Sequence, residues 1–451
     1  MSKSSALLQN LALLSESIGN ELSEAHYTPP PQASNVSIKS LLFSLLTSNA
    51  EFSSETDVIK AKTRDFILCC GALASALDSA YDQLSWIPSS LSSAATSALK
   101  DLAVAYYDSF HGGDETVKIG GELELDLKFV PKEKRLVVEF MPQVLPLLKD
   151  KIKESSIGTA DDISAASAGV PVAYAMVAAY QLRWLVTQVD YPYLGRLCAL
   201  VIPSALTALD HWSPQVKGQG MLSFIHLAKN VNAAEIGWYE DVILDACCQN
   251  IASSEEIWQD VVEMSVLLVT FTQRSNPRSP CIIYAYRYEK LLNEMLNHLE
   301  RQPRNVERRV VWLKHIEPLF NSVGLILLAH FRRFFPLFFR WMHADDDDTV
   351  LLVLKRIKTI LRLTWVRSSP YTESSRLVDE LVTLHKEAAL RVAREDIRTL
   401  ILDILFLIQQ SRGSQFEALW NKHKEDPDLT AFHELFTRKD VALVQFSSSA
   451  A

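Results

Sequence analysis

The stretch Ile202-Pro203-Ser-Ala-Leu206-Thr-Ala-Leu209-Asp210, followed shortly by Val216-Lys217, contains the pattern that decides the fold. Its large apolar residues recur four and three positions apart, which is the spacing of one helix face. Pro203 is expected to bend this first helix. Asp210 is expected at a turn, and Val216-Lys217 is expected to begin a second helix. The stretch therefore predicts two helices joined by a short turn.

The same layout is found twice more along the chain. Phe335-Pro336-Leu-Phe-Phe339 precedes Asp345 to Asp348 and Val350, and Met141-Pro142-Gln-Val-Leu145-Pro-Leu-Leu148-Lys-Asp150 is a weaker copy. The aspartate run is interpreted as capping of a helix N-terminus, because a calcium loop would need alternating oxygen ligands and a glycine turn. Three prolines in matching surroundings indicate a repeated unit.

A repeat of helix pairs extends through the second half of the chain. Successive pairs begin 44, 45, 45 and 47 residues apart, within or close to the roughly 40–47 residues of HEAT and armadillo units. The chain is therefore predicted to be all-α, a HEAT/armadillo-type right-handed α-solenoid of antiparallel helix pairs with one short strand-like insertion. The predicted pairs are 190–210/214–229, 234–251/255–273, 279–300/305–321, 324–343/349–364 and 371–394/396–411.

The first half of the chain is also helical in spacing, with two interruptions. Thr28-Pro29-Pro30-Pro31-Gln32 is typical of a linker or a sharp corner. Residues 121–129 alternate polar and apolar side chains, which predicts a strand in a loop insertion or short hairpin. Helices are predicted at 4–24, 36–48, 57–82, 90–110, 133–153 and 163–188, and the last is apolar around its circumference and is expected to be buried.

These signals divide the chain into four predicted regions. An N-terminal amphipathic helix and its proline-rich linker occupy 1–32. A helical region with an insertion at 111–132 occupies 33–188. The repeat region occupies 189–446, and residues 447–451 are expected to form a disordered tail.

Composition and motifs exclude several classes of function. The 451 residues carry 45 Lys+Arg and 54 Asp+Glu, a net charge of −9, and an acidic chain is a poor general binder of nucleic acid. P-loop, HExxH, GxSxG and CxxC patterns are absent from the sequence, so neither an enzyme nor a cofactor or metal site is predicted. Adjacent cysteines, Cys69-Cys70 and Cys247-Cys248, are expected to be buried free thiols of a cytosolic or nuclear protein.

Membrane and export signals are weak. The N-terminal leucines are interrupted by Gln9 and Asn10 and are spaced as an amphipathic helix, not as the continuous apolar core of a signal peptide. The longest apolar stretch, 323–339, contains His330, Arg332 and Arg333, so no membrane span is predicted.

Basic residues are concentrated in one part of the chain. Residues 301–400 carry 18 Lys+Arg and 12 Asp+Glu, a net charge of +6 that leaves −15 for the remainder. The block is interpreted either as a solvated face or as a docking surface for an acidic protein partner. Direct nucleic-acid binding is disfavoured, because Phe331, Phe334, Phe335, Phe338 and Met342 are expected to face the core. The candidate protein-binding residues are Arg333, Arg340, Lys355, Lys358, Arg362 and Arg367, on or near one surface of two adjacent helices, with Trp365 beside them.

Two stretches carry residues that resemble a known family. The first runs from Leu200-Val-Ile-Pro203 through Ala208-Leu209-Asp210, Gly220, His226-Leu227 and Asn230-Val-Asn-Ala-Ala-Glu235 to Tyr239. The second runs from Val306-Glu-Arg-Arg309 through Leu325, His330, Arg332, Leu354 to Lys358 and Leu361 to Thr364-Trp365-Val-Arg367. Together, over about residues 196–410, they resemble the Tel-two-interacting protein two family, and the Leu-rich helix ending in Thr-Trp-x-Arg is the most specific part.

The resemblance implies a non-enzymatic, all-helical subunit of the TTT co-chaperone complex. Its implied partners are a Tel-two-like subunit, a Tel-two-interacting-protein-one-like subunit and the heat-shock-ninety chaperone machinery. The implied role is to support folding, assembly and stability of phosphatidylinositol-kinase-related protein kinases of the mTOR, ATM and ATR class, in the cytoplasm and nucleus. The alternative is a generic armadillo-repeat adaptor in transport or ubiquitin ligation, with a resemblance that reflects only shared repeat physics.

Overall fold

The computed structural model describes residues 3–30, 36–47, 54–76, 83–110, 116–119, 123–127, 130–155, 170–252, 255–271, 281–364, 373–423, 426 and 429. These residues are mostly α-helical, and the chain divides into two compact units, Met1–Pro277 and Arg278–Ala451. In each unit the described residues form successive α-helices, the all-α arrangement of HEAT and armadillo repeats. The fold class predicted from the sequence is confirmed.

The first unit contains eleven helices and one hairpin among the residues described. Its elements are α1 (Lys3–Glu24), α2 (Ile38–Leu46), α3 (Glu55–Ala74), α4 (Ser89–Phe110), β1 (Thr116–Ile119), β2 (Leu123–Asp126), α5 (Lys132–Glu154), α6 (Val172–Thr187), α7 (Cys198–Leu209), α8 (Pro214–Asn230), α9 (Ala233–Ile236), α10 (Glu240–Asn250) and α11 (Trp258–Phe271).

Each long helix of this unit packs against several helices that lie within three of it in the chain order. α5 contacts α6 and α7, and α8 contacts α6, α7 and α11, as expected when each repeat buries its apolar face against the next. α1 packs against α3 and α4, and α6 packs against α8. The division of the chain into four regions stays a prediction. The predicted tail at 447–451 lies outside the described residues.

Helix α6 is the centre of the first unit. Its side chains are buried from Ala175 to Val186 without interruption, which confirms the burial expected from its apolar circumference. The one buried amide on this stretch is paired, because Gln181 Nε2 donates to the carbonyl of Leu68 at 3.0 Å. Gly71 of α3 lets the Trp184 ring approach closely, since a Cβ at position 71 would lie 2.6 Å from a ring carbon.

The strand-like insertion is a two-stranded hairpin. β1 and β2 are antiparallel, with Thr116 opposite Asp126 and Ile119 opposite Leu123. The sequence pattern predicted a strand at 121–129 in a loop insertion or short hairpin, and the structure pairs Leu123–Asp126 of that segment with a second strand, Thr116–Ile119. Pairing of the backbone N–H and C=O groups requires such a partner.

The second unit repeats the helical arrangement. α16 is its central helix and contacts α13, α14, α15 and α18. The single helix predicted at 305–321 is divided in two, because Pro318 has no N–H to continue the hydrogen-bond ladder. The helices are α12 (Cys281–Arg301), α13 (Val306–His315), α14 (Glu317–Val323), α15 (Phe331–Met342), α16 (Asp347–Thr364), α17 (Glu373–Glu387), α18 (Arg394–Arg412) and α19 (Ser414–Trp420).

An aromatic cluster fills the core of the second unit. The fully buried Trp312 ring lies 5.9 Å from the ring centre of Phe320, 6.3 Å from Phe334 and 6.1 Å from Trp341. The inward-facing stripe predicted on α15 is confirmed, because Phe331, Phe334, Phe335, Phe338 and Met342 are all buried.

The stretch Glu317–Met342 is long and apolar enough to cross a membrane by length and composition alone. Half of its most apolar window is buried inside the protein, and α14 and α15 both pack against α16. A segment that is buried against neighbouring helices belongs to the core. The aromatic side chains of Glu317–Met342 contribute to the aromatic cluster.

Candidate protein-binding surface

Arg333 is the first of the predicted binding residues, and the structure places it between two helices. Its guanidinium donates to both carboxylate oxygens of Glu300 on α12, at 2.8 and 2.9 Å. It also donates to the side-chain oxygens of Asn293 and Asn297, at 2.9 and 2.8 Å. Four donors are therefore engaged within the chain, and Arg333 links α15 to α12.

Lys358 on α16 has a similar structural role. Its ammonium group forms an ion pair with Asp403 on α18. Lys355 and Arg362 lie three positions before and four positions after it, so the three residues share one side of the helix as predicted. Of these three residues, Lys358 is the one that contacts α18.

Three predicted residues remain exposed without an intramolecular ion pair to any described residue: Arg340, Lys355 and Arg362. We call these three the basic surface. Arg340 lies on α15 and the other two on α16, which packs against it. Trp365 and Arg367 lie outside the described residues. That the exposed cations form one continuous docking face stays a prediction.

Buried arginines between repeats are the residues that sequence reasoning missed. Arg309 on α13 is 8% exposed and pairs with Asp346. Arg356 on α16 is 5% exposed and pairs with Glu317 on α14. The partners are 37 and 39 residues apart, close to the repeat length, and only an alignment of successive repeats would have indicated them.

The aspartate run at the start of α16 caps the helix as predicted, and it also forms ion pairs with arginines. Asp346 accepts a hydrogen bond from the Thr349 N–H at 2.7 Å, which caps the helix. Burial alone would raise the pKa of Asp346, but the hydrogen bonds from Thr349 and Arg309 outweigh it and hold the pKa below its ordinary value.

Asp347 extends the run's contacts to the following repeat. It accepts from the Ala393 N–H at 2.9 Å and pairs with Arg391 at 3.0 Å. The Ala393 N–H, followed by the Arg391 contacts, lowers the pKa of Asp347. The Asp346 carboxylate thus connects the start of α16 to α13, and the Asp347 carboxylate connects it to the segment that precedes α18.

One serine and one histidine lie in contact, but their hydrogen bonds do not suit catalysis. Ser155 Oγ lies 3.1 Å from His211 Nε2, and both residues are fully buried. The Ser213 N–H donates to His211 Nδ1 at 3.0 Å, so in the neutral ring the proton is on Nε2, the nitrogen that faces the serine. That nitrogen cannot accept the serine proton. Burial lowers the pKa of His211 to about 4, and the pair is structural.

Several residues that carry the family resemblance have packing roles. A Cβ at Gly220 on α8 would lie 3.0 Å from the Ala208 Cβ on α7, so this glycine permits close helix packing. His226 Nε2 lies 2.9 Å from the Val189 carbonyl. Glu235 accepts from the Asn232 N–H at 2.9 Å and packs against Gly195. These positions shape the first unit of the repeat fold.

The fold and surface together define a helical-repeat protein, and the part of the chain that the structure describes contains no cluster of residues able to hold a metal ion. Among solved structures, yeast importin-β (Kap95p) has a TM-score of 0.40, with 10% identity over 89% of this chain and 48% of that chain. An engineered protein has a TM-score of 0.44, with 11% identity over 98% of this chain and 96% of that chain.

Sequence comparisons define the family more closely. No family model matches the chain. The Arabidopsis thaliana protein "Uncharacterized protein At2g39910" is 51% identical over 435 residues, covering 95% of this chain and 94% of the plant protein. The chain belongs to the family of At2g39910.

A more distant similarity reaches animal proteins. Human TELO2-interacting protein 2 is 22% identical over 200 residues, covering 41% of this chain and 38% of the human protein. The rat protein of the same name is 20% identical over 191 residues. The resemblance to the Tel-two-interacting protein two family is therefore confirmed, for part of the chain.

Proposed function

We propose that this protein is a non-enzymatic scaffold subunit of a TTT-like co-chaperone complex. The observation that carries the proposal is the similarity to TELO2-interacting protein 2, whose name states that it interacts with TELO2, over 41% of this chain. The proposed partners are Tel-two-like and Tel-two-interacting-protein-one-like subunits and the heat-shock-ninety machinery. The proposed clients are phosphatidylinositol-kinase-related kinases of the mTOR, ATM and ATR class, in the cytoplasm and nucleus.

The helical-repeat architecture supports a scaffold role on physical grounds. Stacked helix pairs expose long surfaces to partner chains while they bury a continuous core. The described residues show buried ion pairs and packing contacts between helices. Binding of other proteins is the function that this arrangement serves.

The basic surface supplies a candidate contact for a sister subunit. Arg340, Lys355 and Arg362 are exposed on neighbouring helices of a chain whose net charge is negative. Concentrated positive charge steers association with an acidic partner. Arginine is also enriched among the residues that dominate binding energy at interfaces.

Co-purification of the full chain with its Tel-two-like subunit tests the proposal. We expect wild-type protein to retain that subunit, and the double variant Arg340→Glu/Arg362→Glu to lose it at physiological salt. The matched control is Lys60→Glu/Lys100→Glu, which reverses two exposed cations in the first unit. Failure of wild-type protein to retain the subunit would contradict the proposed complex, and equal retention by all three proteins would contradict the role of the basic surface.

A further inference from the structure

One histidine of the second unit contacts two carboxylates of a neighbouring helix. His343 directly follows the last residue of α15, and its ring lies against α17. Its Nδ1 is 2.7 Å from an oxygen of Glu387, and its Nε2 is 3.0 Å from an oxygen of Glu380. These two glutamates lie seven positions apart on α17, on the same side of the helix. The ring therefore bridges two turns of α17 to the end of α15.

The protonation state of the His343 ring decides whether both contacts are hydrogen bonds. An ionised carboxylate accepts hydrogen bonds but has no hydrogen to donate. Both ring nitrogens must therefore carry hydrogen, and only the charged imidazolium has two N–H groups. A neutral ring keeps one N–H and turns the lone pair of its other nitrogen towards a carboxylate. Loss of the proton thus replaces one attractive contact with a repulsive one.

A second histidine contacts the same helix with a different requirement. His423, three positions after the end of α19, has its Nε2 2.8 Å from an oxygen of Asp379 on α17. A neutral imidazole can still donate this single hydrogen bond from Nε2. Of the two contacts, the one made by His343 is therefore the one that requires the charged ring.

Other charged side chains on or beside α17 also form ion pairs. These pairs are Arg376 with Glu380, Lys386 with Asp426, and Arg391 with Asp347 at the start of α16. Asp345 and Asp346 follow His343 in the turn before α16, and Asp346 pairs with Arg309. Arginine, lysine and carboxylate side chains ordinarily keep their charges between about pH 6 and about pH 8, where histidine titrates. His385, the histidine within α17, is buried and stays unchanged in every variant below.

We propose that His343 is a pH-dependent clamp, whose charged ring holds α17 against the end of α15 and whose neutral ring loosens that helix. Stabilisation that needs a bound proton is present at low pH and is lost as the pH rises. The apolar side of α17 stays packed, because Val378, Leu381 and Leu384 are fully buried and the helix also contacts α18. Loss of the proton is therefore expected to increase local opening of α17 without unfolding the second unit. The proposal does not depend on the TTT-like role.

Hydrogen exchange of the full chain, followed by mass spectrometry, tests the clamp. Amide protection is measured at about pH 6 and about pH 8 and is corrected for the intrinsic exchange rate at each pH. The reference is α18, which belongs to the same unit. We expect the protection of α17 to fall about fivefold or more relative to α18 as the pH rises, because a hydrogen bond to a charged group is lost.

Two substitutions identify the responsible ring. His343→Gln removes the titrating group, so α17 of this variant should show the same protection at both pH values. His423→Gln is the matched control, because that histidine contacts the same helix through a hydrogen bond that a neutral ring can donate. It should retain the pH dependence of the wild-type protein.

Glu387→Gln tests the mechanism, and it does so even if His343→Gln fails to fold. The glutamine amide can accept from the charged ring or donate to the lone pair of the neutral ring. We therefore expect α17 of Glu387→Gln to keep its protection at about pH 8. Equal protection of wild-type α17 at both pH values would overturn the proposal, as would equal loss in α17 and α18. So would wild-type pH dependence in His343→Gln or Glu387→Gln, or its loss in His423→Gln.

Discussion

The two units of this protein hold their helices together differently. In Met1–Pro277, small residues permit close contacts, as between Gly71 and the Trp184 ring or between Gly220 and α7. In Arg278–Ala451, nearly buried arginines pair with carboxylates of neighbouring helices, as Arg309 does with Asp346. The first unit carries 19 Lys+Arg and 32 Asp+Glu, and the second carries 26 and 22.

The comparison shows that one repeat period accommodates two kinds of contact between helices. Apolar contacts through glycine need backbone proximity and fail when volume is added. Ion pairs between long side chains join helices whose backbones lie farther apart, but removing one partner leaves a buried charge uncompensated. The units are therefore expected to differ in which substitutions they tolerate and in how they respond to pH.

The largest effect is expected from Asp346→Ala in the second unit. The substitution leaves Arg309 without its carboxylate and removes the cap of α16. We expect the free energy of unfolding to fall by about 3 kcal/mol, the lower end of the range for broken buried pairs, because Asp346 is partly exposed. Chemical denaturation followed by circular dichroism measures the change.

A double-mutant cycle checks the cause of that loss. Arg309→Met/Asp346→Ala removes both charges, so it should be less destabilising than the sum of the two single variants by about 1 kcal/mol or more. Additive losses would show that the two side chains do not stabilise each other and that capping accounts for the effect of Asp346.

Added volume at the α3–α6 contact should destabilise the first unit. A Cβ at position 71 would lie 2.6 Å from a carbon of the buried Trp184 ring, so Gly71→Val is expected to cost about 1–3 kcal/mol. Gly237→Ala is the control, since no atom lies within 4 Å of the added carbon. Equal unfolding midpoints for both variants in urea would contradict the close contact.

The pH response should also separate the units. Burial lowers the pKa of His211 to about 4. In the unfolded chain the same histidine takes up its proton near pH 6.5, before the folded protein does. The folded protein therefore loses stability as the pH falls from about 6.5 towards 4. Asp346 and Asp347 have lowered pKa values, so their stabilising contribution persists to pH values below the ordinary carboxyl pKa.

His211→Asn measures the first of these contributions. Between pH 7 and pH 5 the wild-type protein should lose about 2 kcal/mol more than the variant. The raised pKa of Asp260 acts in the opposite direction, but it is present in both proteins and cancels in the difference. Parallel stability curves for the two proteins would rule out a neutral, buried histidine at this position.

The smallest effect on stability is expected from the basic surface. Arg340 and Arg362 are exposed and form no ion pair with a described residue. Arg340→Glu/Arg362→Glu should therefore change the free energy of unfolding by less than about 0.5 kcal/mol. A larger loss in thermal denaturation would show that these side chains contribute to the fold, as Arg333 does.

Helical periodicity predicted most elements to within a few residues. Helix 349–364 is observed as Asp347–Thr364, and the prolines at 142, 203 and 336 all lie inside helices. The break at Pro318 was missed. A proline tolerated inside one helix gives no indication that another will interrupt its helix, because neighbouring packing decides between the two outcomes.

The candidate surface was predicted less well than the fold. Charge density identified the basic block, but Arg333 and Lys358 proved to be engaged with Glu300 and Asp403. Net charge in a sequence window does not reveal which cations already have an intramolecular partner. The 92% exposure of Trp238, in the turn before α10, was also missed, because the sequence pattern does not show which aromatic side chain the packing leaves outside.

The sequence by itself determined the all-α class, the repeat length, the buried helix α6 and the acidic and basic parts of the chain. Those features depend on local spacing and composition, which can be read without knowing which helices meet. Only the tertiary structure decided that arginines pair with carboxylates about one repeat away and that Gly71 adjoins Trp184. Such contacts depend on how successive helices stack, because each joins side chains that are far apart in the chain and are brought together by packing.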